Sequence, residues 1–101
     1  MMQKSVDIVF DGTWNGILTT VFEVFEYKLF PISVSPEQVQ SALFQSKHSV
    51  VTDEEKAKRV SNGLIKKVGK NAVTELWHTY LSELADAPLL IVRVAMYYFQ
   101  A

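Results

Sequence analysis

Apolar and polar positions alternate at the start of the chain, with Val6, Ile8 and Phe10 in step against Asp7 and Asp11. That period of two predicts a β-strand with one firmly buried face, broken by Gly12. From Thr13 the period changes to steps of three and four. Trp14, Ile17, Leu18, Val21, Phe22, Phe25 and Leu29 fall on one side, and Asn15, Thr19, Glu23 and Glu26 on the other. The pattern predicts an amphipathic helix with Asp11 or Thr13 as its N-cap and Pro31 just beyond its end.

Residues 31–51, "PISVSPEQVQSALFQSKHSVV", hold two prolines and many serines without a helical stripe. They predict a loop with short extended pieces at 32–33 and 49–51, and "PEQVQSALF" admits a short helix after Ser35. Thr52 with Glu55 makes a T-x-x-E capping box, and the acidic run fits a helix N-terminus. Ala57, Val60, Leu64 and Val68 give that helix its apolar stripe, with Gly69 placed as a C-terminal cap. A third helix is expected over 72–84, with Val73, Leu76, Trp77, Tyr80, Leu81 and Leu84 on one side. The short link at 69–71 predicts that it pairs antiparallel with the second. The last segment, "LLIVRVAMYYFQ", is apolar on nearly every side, with Arg93 its only charge. Such a helix is central in a core or docks on a partner or a second copy.

These elements predict an α+β fold: an N-terminal strand with one or two short partners, packed on three or four helices. A length of 101 residues fits one domain with its own core. With 49% hydrophobic and 21% charged residues, a folded domain is expected rather than a disordered chain. Ten basic and eleven acidic residues leave a net charge of -1, so any contact with a polyanion must come from a local patch. The absence of cysteine excludes disulfides, thiolate chemistry and cysteine-based metal sites. No segment has the length of a membrane span, and "MMQKSVDIVF" lacks a secretory apolar region, so a cytoplasmic location is expected.

"VFDGT" invites comparison with the D-x-D-G-T strand end of haloacid-dehalogenase phosphatases. There the first Asp attacks phosphorus and the second handles protons at the leaving group. Here the nucleophile's position is Val9, which has no nucleophilic or metal-binding atom. Asp11, Gly12 and Thr13 are therefore expected to form a structural turn that caps the first helix. His48 and His78 have no metal-ligand spacing, and no serine stands in G-x-S-x-G. Neither metal nor cofactor is expected, and this segment alone is not expected to catalyse. Trp14, Phe22, Phe25, Trp77 and Tyr80 fall at core spacing and are expected to pack. Lys56, Lys58, Arg59, Lys66, Lys67 and Lys70 concentrate positive charge on the second helix and its exit. They make either a solvated face, with Glu55 and Arg59 paired, or a patch for nucleic-acid phosphates. Lys56, Arg59, Lys66, Lys67 and Lys70 are the candidate nucleic-acid contacts.

Three blocks carry a family resemblance. "VFDGTWNGILTTVFE" resembles Y-D-G-T-F-x-G-F-L-T-A-V-F-E. Val50, Thr52, Asp53, Lys56, Ala57, Arg59 and Val60 meet V-x-T-D-x-x-K-A-x-R-V. Tyr80, Leu81, Ser82 and Glu83 correspond to F-L-S-E. In order and spacing these resemble a bacterial family of proteins assigned to DNA repair or DNA metabolism. The resemblance implies a domain of unknown function encoded beside a radical-SAM protein of the DNA-modification or repair kind. Some members are fused to a uracil-DNA-glycosylase-like domain. It implies no catalytic residues, and family length implies that this chain is the N-terminal part of a longer protein. The expected function is an accessory or partner-binding module of a DNA repair or modification system, with a radical-SAM protein and DNA as partners. The alternatives are part of an enzyme of base repair or modification with its catalytic groups outside this chain, or a homo-oligomerisation domain built on the last helix.

Overall fold

The computed structural model describes residues 4–36 and 47–100. In chain order they form β1 (Lys4–Phe10), α1 (Trp14–Glu26), β2 (Leu29–Pro36), β3 (Lys47–Ser49), α2 (Glu54–Val68), α3 (Lys70–Leu81) and α4 (Ala87–Gln100). The α+β expectation holds: a three-stranded sheet in the order β2-β1-β3 packs with four helices. Both pairings are parallel, and α1 is the crossover from β1 to β2.

β1 forms as the alternation predicts, with Val6, Ile8 and Phe10 buried. α1 stops at Glu26, one turn earlier than its apolar spacing predicts. Tyr27 closes it by donating its backbone N–H to the Glu23 carbonyl at 2.9 Å, and Lys28 turns the chain at φ 55°. Leu29 therefore begins β2 instead of ending the helix. The expected loop at 31–36 is the rest of this strand, because pairing with β1 satisfies backbone groups that a proline-containing segment does not advertise. β2 is an edge strand, where proline is tolerated. The register slips between Val6 and Asp7, which face Pro31 and Ser33, so Ile32 bulges out and is 51% exposed. Arg93 of α4 covers this irregular edge. Its Nη2 donates to the Pro31 carbonyl at 3.1 Å, and its guanidinium lies over the Phe30 ring. The helix considered after Ser35 lies outside the described residues.

The core joins the sheet to all four helices through Ile8, Phe10, Ile17, Val21, Leu64 and Ile91, among others. The polar side of α1 is not wholly solvated. Thr19 and Glu23 are buried there against α2, because their hydroxyl and carboxylate find partners on that helix. α2 is capped by Asp53, one residue later than the expected capping box. Its carboxylate accepts from the amides of Glu55 and Lys56 at 2.9 and 3.2 Å. α3 runs from Lys70 to Leu81, joined to α2 by Gly69 alone, and buries only Leu76. Glu83, at φ 58°, ends the turn after it, leaving Leu81 and Leu84 exposed. α4 buries Ala87, Ile91, Val92, Ala95 and Met96 and exposes Leu90 and Tyr97. No helix among the described residues is long and apolar enough to cross a membrane.

Candidate functional site

The Asp11–Gly12–Thr13 turn sits where β1 ends and α1 begins. β2 lies on one side of β1 and β3 on the other, so the chain changes direction across the sheet at this strand. In parallel sheets the carboxyl ends of strands at such a point form a crevice that commonly takes ligands. Gly12 adopts φ 87°, which a side chain would strain. Thr13 caps α1 by accepting the Gly16 amide at 3.0 Å. Asp11 Oδ1 accepts from the Thr13 amide at 3.0 Å and the Thr13 hydroxyl at 2.6 Å. Asp11 Oδ2 accepts from the Thr52 hydroxyl at 2.6 Å. Partial burial raises the Asp11 carboxyl, but the bonds from Thr13 and Thr52 outweigh it and hold the group below the ordinary carboxylate range. Both oxygens of Asp11 thus accept from the chain's own donors, which ties the turn to the start of α1 and to Thr52.

The three blocks singled out by sequence meet one another. Asp11 of the first receives Thr52 of the second. Thr19 accepts the Asp53 amide at 3.1 Å, and Lys56 donates to Glu23 at 3.1 Å. Tyr80 of the third donates to the Gly12 carbonyl at 3.1 Å. The blocks therefore join α1 to α2 and α3 at the carboxyl end of the sheet. Gly16 belongs to the same junction: a Cβ there would lie 2.5 Å from Asp11 Oδ1 and 2.9 Å from the Phe10 ring. This requirement is invisible locally, because Gly16 sits inside a helix with ordinary dihedrals.

The basic candidates separate into three settings. Lys56 lies between α1 and α2, bonded to Glu23 and Glu26, each at 3.1 Å, with Phe22 beneath it. Its ammonium is held above the ordinary lysine value, first by the bond to Glu23 and then by that to Glu26. Arg59 borders an apolar groove of about 590 Å³ with Phe22, Phe25, Glu26 and Phe99. It is exposed, as a solvated face requires, but among the described residues it forms no ion pair with Glu55. Lys66, Lys67 and Lys70 are exposed on either side of Gly69, where α2 ends and α3 begins. α3 starts there with no side-chain cap and no acid in its first turn.

His48 is not a lone loop residue. It lies in β3 and its Nε2 is 2.8 Å from Glu23 Oε1. His78 is exposed on α3. Among the described residues no three of His, Asp and Glu gather as a metal would need. Trp14, Phe22 and Tyr80 pack against the core as expected, whereas Phe25 and Trp77 are 40% and 38% exposed. Trp14 meets Trp77 edge-on at 5.4 Å, and Trp77 stacks on Tyr80 at the same separation. Beside them opens a recess of about 480 Å³ walled by Asp11, Trp14, Asn15, Thr52, Glu54 and Trp77. Asn15 Nδ2 donates to both oxygens of Glu54 at 3.1 Å, fixing that carboxylate at the rim. The recess escapes sequence reading because its two indoles come from the first and third helices.

Comparison with family models, curated proteins and solved structures finds no match to this chain.

Proposed function

We propose that this chain is an accessory, partner-binding module of a bacterial DNA repair or modification system, touching the DNA backbone through Lys66, Lys67 and Lys70. The three-block resemblance supports the assignment to that system. Hydrogen bonds between those blocks support reading them as one structural unit rather than as scattered chemistry. The observation that carries the DNA contact is the start of α3. α1 and α2 have side-chain caps, Thr13 and Asp53, whereas α3 begins at Gly69 without one and places Lys70 in its first turn. None of Lys66, Lys67 and Lys70 forms an ion pair among the described residues, so their charge is available to a phosphate. Lys66 and Lys67 add charge from the last turn of α2. Lys56 and Arg59 are left to the α1–α2 interface and the apolar groove.

The module acts by binding. Asp11, the acid nearest to a catalytic signature, is bonded by Thr13 and Thr52. Co-expression with the radical-SAM protein that the family resemblance places beside it is the test: co-purification through a sizing column supports the assignment. Separate elution of two folded proteins overturns it. Exposed Leu90 and Tyr97 on α4 favour self-association as the competing reading, and a homo-dimeric native mass that excludes the partner decides for it.

A further inference from the structure

The recess at the carboxyl ends of β1 and β3 has a chemistry different from the lysines at the α2–α3 junction. Its walls carry two carboxylates, Asp11 and Glu54, and two indoles, Trp14 and Trp77; no basic side chain lines it among the described residues. Both carboxylates are pre-positioned, Asp11 by Thr13 and Thr52 and Glu54 by Asn15. A carboxylate offers about four lone-pair sites: on Asp11, Oδ1 already accepts twice and Oδ2 once, so capacity remains on Oδ2, while each oxygen of Glu54 accepts only from Asn15. The adjoining ends of α1 and α2 are capped by Thr13 and Asp53, which leaves them poorly suited to an anion. A phosphodiester is therefore disfavoured by two like charges, and a metal by too few ligands. A planar, weakly hydrated cation meets every feature: it stacks on an indole and takes carboxylates along its edge.

We propose that this recess binds an arginine side chain of a partner protein. A second recess, of about 330 Å³, shares Trp14, Asn15 and Glu54 with the first and is lined beyond them by Lys58, Ser61 and Asn62, which gives the peptide around the arginine polar neighbours. Lys58 there disfavours a second cation. The inference deepens the partner-binding half of the proposed function and rests on it.

The two tryptophans of the chain both wall the recess, so intrinsic fluorescence reports on it directly. The probe is a capped Gly-Arg-Gly peptide, with its citrulline and lysine counterparts and a short single-stranded oligonucleotide as comparisons. The expected result is a saturable fluorescence change with arginine, weaker by about tenfold with neutral citrulline. Glu54→Gln and Trp77→Leu each weaken it by about threefold or more, while thermal unfolding confirms that they fold. Glu54→Gln keeps an acceptor for Asn15, so it isolates the charge. No saturable change with arginine up to about 10 mM overturns the proposal, as does equal binding of citrulline or a response to the oligonucleotide alone. Peptide binding without co-purification removes the named partner and leaves the recess; co-purification without peptide binding does the reverse.

Discussion

Gly16→Ala tests the junction most sharply, because the usual rule and this structure give opposite signs. Within a helix, replacing glycine by alanine ordinarily gains about 1 kcal/mol. At Gly16 the new methyl would stand 2.5 Å from Asp11 Oδ1, 2.9 Å from Phe10 Cδ2 and 3.1 Å from Thr13 Oγ1. Phe10 is fully buried and cannot retreat, and Asp11 is held by Thr13 and Thr52. Overpacking of this kind costs about 1–3 kcal/mol. Displacing Asp11 from its hydrogen bonds adds about 1 kcal/mol for an exposed carboxylate. After the propensity gain, a net loss of about 1–3 kcal/mol remains, which lowers Tm by about 4–24 °C for a domain of this size. Circular dichroism during thermal and urea unfolding measures it. Gly63→Ala is the internal control: its Cβ would meet only the Phe99 ring, at 3.1 and 3.3 Å, so a smaller change is expected. In an Asp11→Ala background the cost of Gly16→Ala should shrink, since one clashing atom is gone. A Gly16→Ala protein as stable as the parent refutes the close approach of α1 to the turn.

Other consequences follow from the same bonds. Asp11→Asn should destabilise at neutral pH and converge with the parent in acid. Net hydrogen bonding lowers the folded carboxyl, so its contribution is present above the unfolded value, about 3.9, and is lost as pH falls through the folded value. Urea midpoints at about pH 7 and about pH 2 measure the gap, and a gap that stays constant contradicts the assignment. Glu23→Ala should cost about 1–2 kcal/mol, since buried Glu23 accepts from both His48 and Lys56. Exposed Glu26→Ala should stay within about 0.5 kcal/mol, because Lys56 keeps Glu23. Equal losses in urea unfolding contradict that ranking.

How far these features could be read in advance depended on whether their cause was local. β1 and the starts of α1 and α2 follow from alternation, a glycine break and an acidic first turn. β2 does not, because Leu29 continues a helical spacing and Pro31 argues against a strand. Only parallel pairing with β1 makes it one. The polar side of α1 misleads for a similar reason: Thr19 and Glu23 look solvated until Asp53 and Lys56 are placed opposite them. Trp77 and Leu81 look like core residues, but α3 buries only Leu76. In the candidate surfaces, the nearness of Lys66, Lys67 and Lys70 is a matter of sequence alone. The removal of Lys56 from that group and the meeting of Trp14 with Trp77 are matters of tertiary structure.

DNA binding across a salt series tests the central claim most directly. Anisotropy of a labelled duplex should show affinity that falls steeply from about 20 to about 200 mM salt. Replacing Lys66, Lys67 and Lys70 together by Gln should flatten the log-log slope by about 3 while thermal unfolding stays unchanged. No binding at about 20 mM salt, or a triple variant that binds like the parent, would contradict the account.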